Sequence, residues 1–154
     1  MKSRMNYMNT YGGYAMKYLV VGSGGPGFAS AEEALLVLES VVLPSFDEET
    51  GLFGDKSPAD TVARYRELGA DTVVVKNGGH PVTFWDNGDL FEVPTARADV
   101  VTDTTAAGDS FAAGFLAAIA TGANQIDAVK QASELASKVI GRRGALVPEI
   151  FEGE

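Results

Sequence analysis

Apolar positions change their period along this chain, and each period marks an element. Lys17-Tyr-Leu-Val-Val21 predicts a short strand. Ala34, Leu35, Leu38 and Val41 share one face of a helix over 31–40, opened by the capping box Ser30-Ala-Glu-Glu33. Val41-Val-Leu43 is then a short buried strand that ends at Pro44. A helix follows from Ser45 through Phe53 to a stop at Gly54, with Ser45 and Glu48 placed as a second capping box. Ser57, with Pro58 at the first helical position, opens a helix to Leu68 that Gly69 ends. Its buried stripe is Val62, Tyr65 and Leu68. Asp71-Thr-Val-Val-Val-Lys76 predicts a strand buried on both faces, as in a parallel sheet. Pro81–Trp85 and Leu90–Val93 flank Asp86-Asn-Gly-Asp89, a hairpin signal, with Trp85 packing the hairpin. Phe111, Phe115 and Ile119 fall at i, i+4 and i+8, with Leu116 beside them, in a helix that starts near Ala106. Gly114 inside it costs about 1 kcal/mol relative to Ala, which close packing against a neighbour explains. Ile126, Val129, Ala132, Ser133, Ala136, Val139 and Ile140 make one apolar-to-small face of a last long helix from Gln125. Helix followed by strand, twice over, predicts βαβ units and a parallel sheet.

Composition narrows this picture. A chain of 154 residues with 45% apolar content holds one domain with a real core. All four Met lie within residues 1–16, among Tyr7, Tyr11 and Tyr14, so 1–16 reads as a poorly ordered leader and 17–154 as the domain. A net charge of −9 argues against nucleic acid and anionic membranes as partners, because no basic field attracts phosphates at long range. The chain has no Cys, which excludes disulfides, zinc–thiolate sites and thiol catalysis and fits a reducing, cytoplasmic setting. No apolar run reaches the ~18 residues of a membrane span. Lys2 and Arg4 are followed by Asn, Tyr and Gly, so no signal peptide is indicated. His80, the single histidine, reads as a turn residue, since no Cys or second His joins it.

Two stretches carry candidate chemistry. Gly22-Ser-Gly-Gly-Pro-Gly27 follows a strand and matches G-x-G-x-x-G, with Asp47 twenty residues beyond Gly27. That is the spacing of an NAD-type dinucleotide site. Phe28 and Ala29 separate the glycines from the helix start at Ser30, which favours a mobile glycine loop. The second stretch is Val101–Phe115. Ala106, Ala107 and Gly108 bring small side chains and bare N–H groups to a helix N-terminus, where anions bind. Asp109 beside them suits a general base that deprotonates a hydroxyl facing a phosphate. Asp103, Thr104, Thr105, Asp109 and Ser110 equally suit ordinary capping and first-turn positions. The small residues of the last helix either leave a slot for a flat ring or simply pack against the preceding helix.

Asp103-Thr-Thr-Ala-Ala-Gly-Asp-Ser-Phe111 resembles the C-terminal signature of the ribokinase-like (PfkB) carbohydrate kinases, Asp-Thr-x-Gly-Ala-Gly-Asp, with Ala106 where Gly is usual. Leu43-Pro-Ser-Phe-Asp-Glu48 resembles the 2-keto-3-deoxygluconate kinase branch; Ser45 replaces the Asn of its Asn-x-x-Glu motif. Lys76-Asn-Gly-Gly-His-Pro81 resembles a Lys-x-Gly-x-x-Gly turn, with Pro81 at the second glycine. The resemblance covers about residues 30–150. It implies the C-terminal half of a three-layer α/β/α sandwich, mostly parallel with a β-hairpin. It also implies transfer of the γ-phosphoryl of ATP to a hydroxyl of a sugar acid, with 2-keto-3-deoxygluconate as the expected substrate. In that implied site Asp109 is the base, and the N–H groups of Ala106, Ala107 and Gly108 stabilise the transferring phosphoryl. Lys76 and Gly78 lie along the nucleotide, and Ser133 and Ala136 line the adenine pocket. Glu48 reaches Mg²⁺ through water. Asp103 and Thr105, with carbonyls around Gly141–Ala145, hold a monovalent cation such as K⁺. The family's N-terminal Gly-Gly signature, Asp-x-Asn-x-Arg segment and small β lid are not found in this sequence. The resemblance therefore implies a truncated or split kinase, with self-association or a complementary N-terminal half as partner. The alternative is a non-catalytic nucleotide-binding or interaction remnant.

Overall fold

The computed structural model describes residues 18–22 and 39–144. In chain order these form β1 (Tyr18–Gly22), β2 (Glu39–Leu43), α1 (Phe46–Phe53), α2 (Pro58–Glu67) and β3 (Thr72–Val75). After them come β4 (Val82–Asp86), β5 (Asp89–Val93), α3 (Ala107–Ala120) and α4 (Gln125–Ile140). The strands make one sheet in the order β1-β2-β3-β4-β5. β1, β2 and β3 run parallel, and the β4–β5 hairpin adds the antiparallel pairings. Among the described residues no helix is long and apolar enough to cross a membrane.

Strand alternation sends successive side chains to opposite faces of the sheet. Val41, Leu43, Val74, Val82 and Phe84 pack with Phe111, Phe115, Ala128, Val129 and Ala132 of α3 and α4. Val42, Val73 and Val75 pack on the other face with Val62 and Tyr65 of α2. The three valines of β3 are fully buried and divide between the two cores, so the double-sided burial expected of this strand is observed. The architecture is the expected three-layer α/β/α sandwich. The hairpin turns at Asn87 (φ 48°) and Gly88 (φ 102°), the pair of left-handed residues that a two-residue turn requires. Trp85 joins the α2 side of the core, where the Arg66 guanidinium lies 5.3 Å from its ring centre.

Three local expectations change. β2 begins at Glu39, so the helix expected over 31–40 does not reach residue 40; the rest of it lies outside the described residues. Residues 39 and 40 instead pair in parallel with Tyr18 and Leu19, a long-range pairing that overrides the local helical period. Ser45 is the N-cap of α1, but its side chain makes no capping hydrogen bond, so the Ser45–Glu48 box does not form. The backbone does that work: the N–H groups of Glu48 and Glu49 donate to the Ser45 carbonyl, both at 3.1 Å. Ser45 also bridges Lys76 and extends the β2–β3 pairing, which fixes its main chain. β1 is displaced by one residue from the expected strand and ends on Gly22. The leader 1–16, the glycines beyond Gly22 and Ala145 lie outside the described residues. The caps at Ser57 and Asn124 form, accepting from the N–H groups of Asp60 (3.2 Å) and Asp127 (2.9 Å).

A polar network ties α1 to α2. Arg64 donates to Asp55 at 2.8 and 3.2 Å and to Glu49, and its guanidinium lies 4.0 Å from the Phe53 ring centre. Thr61 donates to Asp55 at 2.7 Å and the Tyr65 hydroxyl to Glu49 at 3.1 Å. Burial first, and the Glu49 charge second, push the Tyr65 hydroxyl up to about 12. The hydrogen bond from Arg64 holds the Asp55 carboxyl below its ordinary range.

Candidate active site

The site forms where the C-terminal end of β3, the start of α1 and the start of α3 meet. The main chain of Lys76 is clamped beyond β3. Its N–H donates to the Pro44 carbonyl and its carbonyl accepts from Phe46 N–H, both at 2.9 Å. Its ammonium then reaches over the first turn of α3: Nζ is 3.2 Å from the point where a Cβ on Gly108 would lie. Burial lowers the proton affinity of that ammonium, while the charges of Glu48 and Asp109 raise it, with a net lowering. Lys76, Glu48 and the Gly108–Asp109 pair, separate in sequence, are thus brought together.

Ala106 is the N-cap of α3, and Gly108 and Asp109 lie in its first turn, where N–H groups lack intrahelical partners. The Ala107 N–H donates to the Thr104 carbonyl at 3.1 Å and closes the turn that leads in. That loop is tied to the end of α4. Thr102 N–H and Asp103 N–H donate to the Ile140 carbonyl at 2.7 and 3.1 Å, and the Thr102 hydroxyl donates to the Gly141 carbonyl at 3.1 Å. The Asp103 carboxylate accepts from the Thr105 hydroxyl (2.6 Å), Thr105 N–H (2.9 Å) and Gly144 N–H (3.2 Å). The Thr105 hydroxyl is the leading reason that Asp103 ionises below its ordinary range. Asp103 thereby reaches the 141–144 turn, with Thr105 bonded to its carboxylate. Among the described residues no three His, Cys, Asp or Glu side chains cluster as a metal site.

A cavity of about 300 Å³ extends from Lys76 and Gly108 to Ser133 and Ala136 on α4, with Gly78 on its wall. Ser133 is buried, and its hydroxyl accepts from Ala96 N–H at 2.6 Å. The loop at Thr95 and Ala96 thereby becomes part of the cavity wall. Thr95 is held in turn by its hydroxyl, which donates to the His80 carbonyl. No motif marks this loop, and its contact with Ser133 spans 37 residues. Ser133, Ala136 and Ser137 thus bring small side chains to one part of the cavity wall. Lys76, the first turn of α3 and the Asp47 carboxylate line another part, with Asp109 nearby, which suits an anion beside a group that loses a proton.

The sequence profile of the pfkB family carbohydrate kinases matches residues 8–150. The chain belongs to this family. Among its pfkB relatives, the 2-dehydro-3-deoxygluconokinase of Escherichia coli strain K12 is 38% identical over 130 residues, 79% of this chain and 42% of that protein. The enzyme of the same name from Thermoproteus tenax is 34% identical over 124 residues, 77% of this chain and 38% of that protein. The solved Arabidopsis thaliana ribokinase, complexed with ribose and ATP, superposes with a TM-score of 0.72 at 26% identity, over 82% of this chain and 42% of that one. The chain spans about two fifths of the length of these relatives. The pfkB match begins at residue 8, well ahead of the motifs that carry the resemblance.

Proposed function

We propose that this chain carries the phosphoryl-transfer part of an ATP-dependent sugar-acid kinase, and that the acceptor is 2-keto-3-deoxygluconate (2-dehydro-3-deoxygluconate). The observation that carries the proposal is the cavity. Ser133 and Ala136 on its wall leave room for a flat ring, Lys76 and Gly108 line another part of it, and Asp109 stands near enough to Lys76 for its charge to act on the ammonium. The acceptor follows from the names of the relatives.

In the proposed reaction the adenine lies against Ser133 and Ala136, and the phosphates run past Gly78 toward α3. The acceptor oxygen bonds to the γ-phosphorus as the bond from that phosphorus to the bridging oxygen of ADP breaks. Asp109 takes the hydroxyl proton. The N–H groups of Ala106 and Gly108 face the charge on the transferring group, whereas the Ala107 N–H expected to join them is taken up by the Thr104 carbonyl; positioning and electrostatics supply the rate. Mg²⁺ fits the donors present: it favours one or two carboxylates plus phosphate oxygens and water over an all-protein cage, and Glu48 is the carboxylate at hand. When bound it neutralises phosphate charge. Asp103, Thr105 and the carbonyls of the 141–144 turn are the proposed seat of K⁺. A second copy of this chain, or a complementary N-terminal half, is the proposed partner on the sugar side.

Titration of the chain with ATP–Mg and with NAD, in wild type and Gly108→Val, tests the site. A Cβ at Gly108 meets only Lys76 Nζ, the end of a flexible side chain, within 4 Å, and circular dichroism verifies that the variant folds. It is expected to lose ATP because the added methyl groups fill the place of phosphate. Unchanged ATP affinity in the variant, or tighter binding of NAD than of ATP, would overturn the assignment.

A further inference from the structure

The direction of Lys76 holds more than its place in a turn suggests. Two backbone hydrogen bonds to Pro44 and Phe46, each 2.9 Å, fix its main chain. Its side chain therefore leaves β3 at a set angle and ends over Gly108, next to Asp109. An ammonium and a helix N-terminus are both positive, and they repel unless negative charge lies between them. Glu48 on α1 and Asp109 on α3 face the ammonium, and Asp47 lines the same cavity. Glu48 and Asp109 are exposed, so water weakens their hold on it. The slot at Ser133 and Ala136 forms another part of the same cavity.

We infer that Lys76 grips the terminal phosphoryl group of ATP, the one to be transferred, rather than lying along the inner phosphates. The inference rests on the kinase reading above and adds a property to it. A group held at Gly108 and Asp109 is the group that leaves with the acceptor, so Lys76 loses its partner when transfer is complete. ADP is then held without it. Lys76 thus makes the site prefer a triphosphate to a diphosphate and favours release of the spent nucleotide. A lysine suits this task, because it acts as a compact point charge and does not demand the two-pronged geometry of arginine.

Calorimetric titration of the chain with ADP–Mg and with the non-hydrolysable β,γ-imido analogue of ATP tests the inference. Lys76→Met is expected to weaken the triphosphate by about 10–100-fold, the value of one hydrogen bond to a charged group. ADP affinity is expected to stay within about twofold. Lys76→Arg, which keeps the charge, recovers part of the preference. Circular dichroism verifies the fold. Should Lys76→Met not fold, Lys76→Gln, which keeps a polar end and loses the charge, replaces it. That variant is expected to narrow the preference in the same direction. Equal losses for both nucleotides, or no loss for either, would overturn this inference alone. A wild-type chain that binds neither nucleotide would overturn the kinase reading with it.

Discussion

Gly114→Ala places a methyl group where α3 and α4 leave no room for one. The added Cβ would stand 2.9 Å from the Cα of Ala132 and 3.2 Å from Cδ2 of Leu135. Carbon atoms pack best at about 3.5–4.0 Å, so the first contact is short by roughly 0.6 Å or more. Leu135 can turn aside, but Ala132 offers only main chain. The helices must therefore separate. Two effects compete. Alanine is the better helix former by about 1 kcal/mol. Overpacking a close contact costs about 1–3 kcal/mol, and a backbone contact belongs in the upper part of that range. The net expectation is a loss of about 1–2 kcal/mol, or roughly 3–8 °C in melting temperature. Gly51 is the internal control: it lies in α1 with nothing within 4 Å of its Cβ position. Gly51→Ala is expected to gain about 0.5–1 kcal/mol. Urea and thermal denaturation of both variants, followed by circular dichroism, give the two signs. A Gly114→Ala chain as stable as wild type would refute the packing argument. Separation at Ala132 also moves Ser133 beside it, so ATP affinity is expected to fall with stability.

Asp109→Asn is expected to lower phosphoryl transfer by about 10²–10⁴-fold where the complete sugar-binding partner is supplied, because Asn cannot accept the proton. Stability should change by no more than about 1 kcal/mol, the loss of one charge near a helix N-terminus; transfer at the wild-type rate would end its role as base. Stability should also fall at both extremes of pH. The Tyr65 hydroxyl is raised from 10.0 to about 12, so its contribution is complete below about pH 10 and is lost as pH rises toward 12. Asp55 is lowered from 3.8, so its contribution is present above that value and is lost as pH falls below it. Denaturant titrations across pH follow both limbs, and an alkaline limb that survives in Tyr65→Phe would disprove the tyrosine assignment.

Much of this molecule was legible because local pattern and tertiary packing agree. The valines of β3, the Phe111–Phe115 stripe and the Ser57 cap each follow from spacing alone, and the structure uses them as that spacing suggests. Glu39 and Ser40 were misread because strand pairing with β1 decides their conformation, and pairing partners are remote in sequence. Ser45 was misread because a bridge to Lys76 sets its main chain before its side chain can cap. At the site, Asp103, Gly108 and Asp109 were visible as one contiguous motif. The anchoring of Ala96 by Ser133 and the reach of Lys76 over Gly108 were not, since each joins elements that only the fold brings together.

The tie between the Thr102–Asp103 loop and Ile140 makes α4 a ruler. The middle of this helix carries Ser133 at the slot, and its end holds the loop that leads into α3 and Asp109. About two helical turns separate Ser133 from Ile140, a rise of roughly 10 Å. In the proposed site, the span from ring to reacting phosphate is thus set by a rigid rod rather than by the chain between Ala96 and Asp103. One residue inserted into that stretch of α4 would lengthen it by about 1.5 Å and turn its end by about 100°. The loop would be carried with it, and the error would appear at Asp109, far from the insertion in sequence.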